Sequence, residues 1–267
     1  MNCLLRLLRE LGFDYLEDTM ESVLSSVREL AELRGLRLED LRVPKVVVLS
    51  LCVGATNLLK TRFHAREAPW IYRARPLYVG HIDGIDVGII WASPGAPLAA
   101  MIMEHLIACG ARYFIGLGLL AAIQPSIEVG TIVVPIGALR GEGTSYYYLP
   151  EDEKAVPDTM LLNIVREACR ELGTECLEGA VYTIDAIHRE TRKLVEALRS
   201  RNVLGFDMET SAIYAVAKYR KVRALNILVT STNPRTKSIG FYSEKLNHSL
   251  NRAIDLIEYT IKRIHTQ

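Results

Sequence analysis

The alternation of apolar and polar positions changes texture once along the chain, near Pro44. Before it, Leu16, Met20, Val23, Leu24, Val27, Leu30, Ala31 and Leu33 recur at helical spacing with charges between them, which predicts amphipathic helices within residues 1–42. After it, short apolar runs alternate with amphipathic stretches. VVVLSL (46–51) is β-branched and free of charge, the pattern of a strand covered on both faces. GIDVGIIWAS (84–93) reads as the return strand of a hairpin that turns at Asp83-Gly84. PLAAMIMEHLIACG (97–110) opens on proline and closes on glycine, as helices do. ARYFIGLGLLAAI (111–123) and TIVVPIGAL (131–139) predict two more strands, and Pro135 in the second predicts an edge or a bulge.

Further on, PDTMLLNIVREACRELG (157–173) and ETRKLVEALRSR (190–201) carry the helical period, with the strand EGAVYTID (178–185) between them. The strand VLGFDM runs straight into the helix ETSAIYAVAKYR. VRALNILVTS (222–231) predicts the last strand and residues 242–265 the closing helix. Strands alternating with helices predict an α/β sheet covered on both sides. No repeat or low-complexity linker divides it, so residues 45–267 are expected to form one domain and residues 1–44 an N-terminal helical extension. Ligands in such sheets gather at the carboxyl ends of strands.

Composition narrows the class. Hydrophobic residues make up 49% of the 267, enough to cover both faces of a large sheet. A net charge of +1 and the lack of any basic run argue against a nucleic-acid or anionic-membrane partner. No run approaches the roughly 20 apolar residues needed to cross a bilayer. Charges interrupt the apolar N-terminus, unlike a secretory signal. A cytoplasmic protein is expected. The five cysteines include no CxxC pair, which predicts reduced thiols and no zinc site; no metal constellation is present in the sequence.

One junction carries chemistry. Asp207, Met208 and Glu209 lie where a buried strand meets a helix N-terminus, a place that favours ionised carboxylates. Each acid there is either a helix cap or a ligand group.

Three stretches, SPGAPLAAMIMEHLIACGARYFIGLGLLAAIQPSIEVGTIVVPIGALRGEGTSYYYLP, YTIDAIHRETRKLVEALRSRNVLGFDMETSAIYAVA and the strand ending LVTSTN, resemble the nucleoside phosphorylases of the uridine phosphorylase and hexameric purine nucleoside phosphorylase type. The resemblance covers roughly residues 45–265. It implies a single α/β domain with a mixed central sheet flanked by helices. It also implies a reaction: inorganic phosphate, as co-substrate and without a cofactor, displaces the base from C1′ of a nucleoside to give ribose 1-phosphate. The partners implied are nucleoside, phosphate and further copies of the chain, as a dimer or hexamer with shared active sites.

By the same resemblance, Glu209 takes the ribose hydroxyls with Met208 packed on the sugar, and Asp207 either joins them or caps the helix. Gly54, Arg73, Gly95 and Gly118 fall to the phosphate, with Arg73 reaching a neighbouring copy. Thr183, Asp185, Ile187, His188 and Arg189 fall to the base, and Thr232 with Asn233 to the leaving-group end. Tyr146, Tyr147 and Tyr148 read as interface. The chain departs from the family where an anion would be held. Gly116 stands in place of an arginine, Leu119 of a threonine or serine and Leu58 of another arginine; at the leaving-base end Thr232 stands in place of an aspartate or, in uridine-specific members, an arginine. The resemblance implies phosphorolysis first; a site so short of cations leaves hydrolysis by water, or nucleoside binding without turnover, as alternatives.

Overall fold

The computed structural model describes residues 3–233 and 243–266. Two helices come first, α1 (Cys3–Glu10) and α2 (Met20–Glu32). Then follow β1 (Val46–Ser50), α3 (Val53–Arg62), β2 (Arg66–Glu67), β3 (Tyr78–Ile82), β4 (Ile85–Trp91), α4 (Ala96–Ala108) and β5 (Tyr113–Ala122). The second half runs β6 (Ile132–Gly141), α5 (Thr159–Glu171), β7 (Cys176–Ile184), α6 (Arg192–Arg199), β8 (Gly205–Asp207), α7 (Thr210–Tyr219), β9 (Arg223–Thr232) and α8 (Glu244–His265). The closing helix, expected from 242, starts at Glu244 under a Ser243 cap; residue 242 lies outside the described residues.

Among the described residues the strands form one sheet in the order β2-β3-β4-β1-β5-β8-β7-β6-β9, and β9 returns to pair with β5. The last five strands therefore close on themselves. The sheet is mixed: β1 runs parallel to β4 and β5, whereas β8 is antiparallel to β5 and β9 to β6. The period of two along each strand divides the core into two layers. In β1, Val47 and Leu49 face the layer of α2, α4 and α7, with Val27, Leu106 and Ile213. Val46 and Val48 face the layer of α3, α5 and α8, with Leu59, Val165 and Ile257. Helices thus cover both faces, as the unbroken apolar strands require.

Local chemistry accounts for the turns. Asp83 and Gly84, both at positive φ (49° and 82°), make the tight β3–β4 hairpin. Pro135 sits at a register shift of β6, just past its two paired positions with β9, so the bulge was the right alternative.

Two features differ from the sequence reading. VGATNLLK, which carries Gly54 and Leu58 and which the resemblance makes a phosphate loop, is the start of α3, which follows β1 after two residues with the Cys52 thiol accepting from Ala55 N–H. Cys169 and Cys176 form a disulfide, which corrects the expectation that every thiol is reduced. The turn at Gly173 (φ 59°) reverses the chain between α5 and β7 and brings the two cysteines together. The three tyrosines meet the chain's own N-terminal segment and α7: Tyr15 donates to the Tyr146 carbonyl, Phe13 packs edge-on against Tyr147, and Tyr148 packs against Tyr219. Among the described residues no helix is long and apolar enough to cross a membrane.

Candidate functional site

A cavity of about 230 Å³ opens at the carboxyl ends of β5, β8 and β9. Its floor is the junction of β8 with α7, where Asp207, Met208 and Glu209 all line it. The two acids do different work. Asp207 is turned inward: Oδ1 accepts from the Thr183 hydroxyl at 2.7 Å, and Oδ2 accepts the N–H groups of Glu209 and Thr210 at 3.1 and 2.7 Å. It caps α7 and ties β8 to β7.

Glu209 is only 5% exposed. Its Oε1 accepts from Ser93 Oγ at 3.0 Å and from the Gly95 N–H at 2.6 Å. Gly95, at φ 101°, sits where an L side chain would be strained, and that backbone aims its N–H at the carboxylate. The Met208 N–H also approaches the carboxylate, and no side chain among the described residues bonds to Oε2. Burial first, and then the neighbouring Asp207 carboxylate, push the Glu209 carboxyl up to about 7, against the pull of the Gly95 and Ser93 bonds.

The remaining walls are mostly apolar. Leu51, Leu119 and Ala121 form one side; Ile187 and Phe206 form another, with Glu190 beside them; Ser231 and Thr232 close the end at β9. No arginine, lysine or histidine is among the described residues that line the cavity. At the adjoining position on β5, Gly116 faces Asn226 of β9 so closely that a Cβ there would lie 2.0 Å from Asn226 Oδ1. The Asn226 side chain, fully buried and donating to Thr210 Oγ1 at 2.9 Å, fills the space that a side chain at 116 would occupy.

The other expected site residues divide. Thr232 and Ile187 line the cavity. Gly95 reaches it through Glu209, and Thr183 supports it from behind through Asp207 and by accepting the Ser211 N–H. Asn233 turns away and donates to the Ile127 carbonyl at 2.6 Å. Gly54 lies within the first turn of α3, exposed, because the strand ends four residues before it; Leu51 is the residue of that segment that meets the cavity. Gly118 is buried in β5, where a Cβ would meet Leu51 at 2.9 Å. Asp185 accepts the Gly143 N–H and lines a separate depression beside Tyr147 and Tyr148. His188 and Arg189 are exposed on a single 3-10 turn. Arg73 is also exposed, outside the lining, whereas Arg75 holds the carbonyls of Trp91 and Ser93 and so braces the loop that carries Gly95.

Leu51, Ser93 and Ser231 lie at carboxyl ends of strands, where ligands were expected, but had no assigned role, and Glu190 and Phe206 were not expected. Ser93 and Phe206 were within quoted stretches, but only the tertiary fold turns them to one cavity. Among the described residues no group of three or more His, Cys, Asp or Glu is placed to hold a metal ion.

The family model described as the phosphorylase superfamily matches residues 45–262. The chain is similar to a uridine phosphorylase of Thermococcus kodakarensis, 30% identical over 194 residues, which is 68% of this chain and 70% of the other. It is also similar to a guanosine phosphorylase of Halorubrum lacusprofundi, 32% identical over 64% of this chain and 74% of the other. Its fold matches the crystal structure of uridine phosphorylase from Vibrio fischeri with a TM-score of 0.75 at 24% identity, over 83% of this chain and 93% of that one. A purine nucleoside phosphorylase from Toxoplasma gondii, solved with immucillin-H, superposes with a TM-score of 0.78 at 21% identity, over 87% and 95% of the two chains.

Proposed function

The chain belongs to the phosphorylase superfamily, among the nucleoside phosphorylases, and from that premise we propose that it cleaves the N-glycosidic bond of a ribonucleoside, with inorganic phosphate as the attacking group. The observation that carries this reading is the half-satisfied Glu209. Its Oε1 is held by Ser93 and Gly95, and its Oε2 is left for a ligand at the floor of the cavity. A carboxylate only accepts, and the two hydroxyls of a ribose are paired donors. With Met208 against the sugar face, C1′ is held while charge develops on the ring oxygen. Thr232 offers a hydroxyl at the leaving-group end; it donates a hydrogen bond and does not act as an acid at neutral pH. Arg73 supplies the missing positive charge to the phosphate from a neighbouring copy in a homo-oligomer.

A second reading, with water as the attacking group, is favoured by the lining itself. Leu51, Leu119 and Ala121 offer a phosphate no donor from their side chains, and three carboxyl groups line the same space. A neutral nucleophile meets no repulsion there.

Incubation with uridine, inosine, guanosine and adenosine, with and without phosphate, tests both. Release of base only when phosphate is present, with ribose 1-phosphate formed, is the expected result. Release without phosphate selects hydrolysis. If no nucleoside is cleaved under either condition, both readings fail. In either active case Glu209→Ala removes the activity, and Arg73→Ala removes it only for phosphorolysis.

A further inference from the structure

Glu190 has no structural employment. It ends the 3-10 turn of Ile187–Arg189, and its backbone N–H reaches back to the Ile187 carbonyl. The cap of the next helix is supplied by Thr191, whose hydroxyl accepts the Leu194 N–H. Among the described residues the Glu190 side chain makes no hydrogen bond and no ion pair. It is nonetheless half-buried and faces the cavity between the apolar walls of Ile187 and Phe206. Burial pushes its carboxyl up, and only the neighbouring His188 pulls the other way. A solvated glutamate would avoid that desolvation by turning outward, as His188 and Arg189 do on the same turn. The polar group therefore points at a place where its partner is a ligand atom.

We propose that Glu190 selects the base, its carboxylate accepting a ring N–H of the bound nucleoside and most fully the paired N1–H and 2-amino groups of guanine. This rests on the reading of Glu209 as the ribose ligand. With the sugar on Met208 and Glu209, the flat base falls against the remaining lining, Ile187, Phe206 and Thr232. The carboxylate then reads its edge. Two acceptor oxygens match two adjacent donors. Hypoxanthine offers one N–H, with a C–H where guanine has its amino group, and uracil offers one N–H between two carbonyls. Adenine in a nucleoside offers no ring N–H at all.

Calorimetric titration of the full chain with guanosine, inosine, adenosine and 1-methylguanosine tests this. Glu190→Ala is expected to weaken guanosine about tenfold or more, as for a lost hydrogen bond to a charged group. Adenosine and 1-methylguanosine should stay within about twofold. Glu190→Gln replaces one acceptor by a donor, so guanosine should fall to the level of inosine, since both bases offer an amide the same N1–H and 6-carbonyl. A merely structural glutamate would not erase that discrimination while sparing inosine. An equal loss for all four nucleosides, or unchanged guanosine binding in Glu190→Ala, overturns the proposal while wild-type binding leaves the ribose reading standing. Wild-type protein that binds none of the four takes both down.

Discussion

At Glu209 the bonds to Ser93 and Gly95 hold one carboxylate oxygen in place and leave the other open, while burial raises the proton affinity of both. The sign of the consequence can be worked out. The folded carboxyl titrates near 7, above its ordinary 4.5, so between those two values the folded chain binds the proton more tightly than the unfolded one. Its contribution to stability is full below about 4.5 and is lost as pH rises through about 7. The loss is of order 3 kcal/mol. Glu209→Gln is therefore expected to melt higher than the wild type at pH 8 in the absence of ligand, with the difference vanishing at pH 4.5. Ribose hydroxyls favour the ionised form, so nucleoside affinity should fall about tenfold per pH unit below 7. Melting and titration across pH 5–9 check both; a pH-independent affinity would remove Glu209 from the ribose. Of this residue, the type and its junction were legible in DMET. Its dependence on Gly95, 114 positions away, was not, since nothing local links them. Asp207 showed only that it was an acid at a helix start, which fits a cap and a ligand equally. Glu190 was hidden for a related reason: in HRET it reads as a partner for Arg189.

The pairing of β5 with β9 shows how elements set what a site can hold. Gly116 and Asn226 lie side by side in register, and the asparagine's Oδ1 is buried without a partner, pressed toward the glycine. Any side chain at 116 must displace it. Gly116→Ala is expected to cost about 1–3 kcal/mol as an overpacked core position. Asn226→Ala alone costs about 1 kcal/mol for the lost bond to Thr210. The double variant should be more stable than the sum of the two by at least about 1 kcal/mol, because the clash and the amide leave together. Additive losses in a denaturant double-mutant cycle would show that the two do not share this space. Strand identities here were readable from ARYFIGLGLLAAI and VRALNILVTS, whose apolar runs are long and bounded by turn residues. Their register was not, because pairing across 110 residues leaves no local trace. Nor was α3, whose apolar residues do not gather on one stripe and whose cap is a thiol rather than a usual hydroxyl or carboxylate.

The family match begins at residue 45, and the texture of the sequence also changes there, which suggests a chain made of an extension and a complete domain. The packing gives the extension a definite task. Val27 and Ala31 of α2 are fully buried in the same cluster as Leu106 of α4 and Ile213 of α7. Asp18 and Thr19 receive the guanidinium of Arg220, which is itself held by the buried Glu104 of α4. Tyr219 donates to the Glu17 carbonyl, and Tyr15 to that of Tyr146. We propose that residues 1–44 are an added layer that completes one face of the domain. Without them α4 and α7 would present apolar side chains to water, at about 25 cal/mol per Å² exposed, and Arg220 would lose two of its partners. A chain of residues 45–267 is accordingly expected to melt well below the full chain and to self-associate through that face. The cavity walls lie at the other ends of these elements, so whatever fraction stays monomeric should still bind nucleoside with near-native affinity. Thermal denaturation, sedimentation and titration of the two chains side by side decide it: equal melting temperatures would make the extension dispensable to the fold, and lost binding in the folded fraction would make it part of the site.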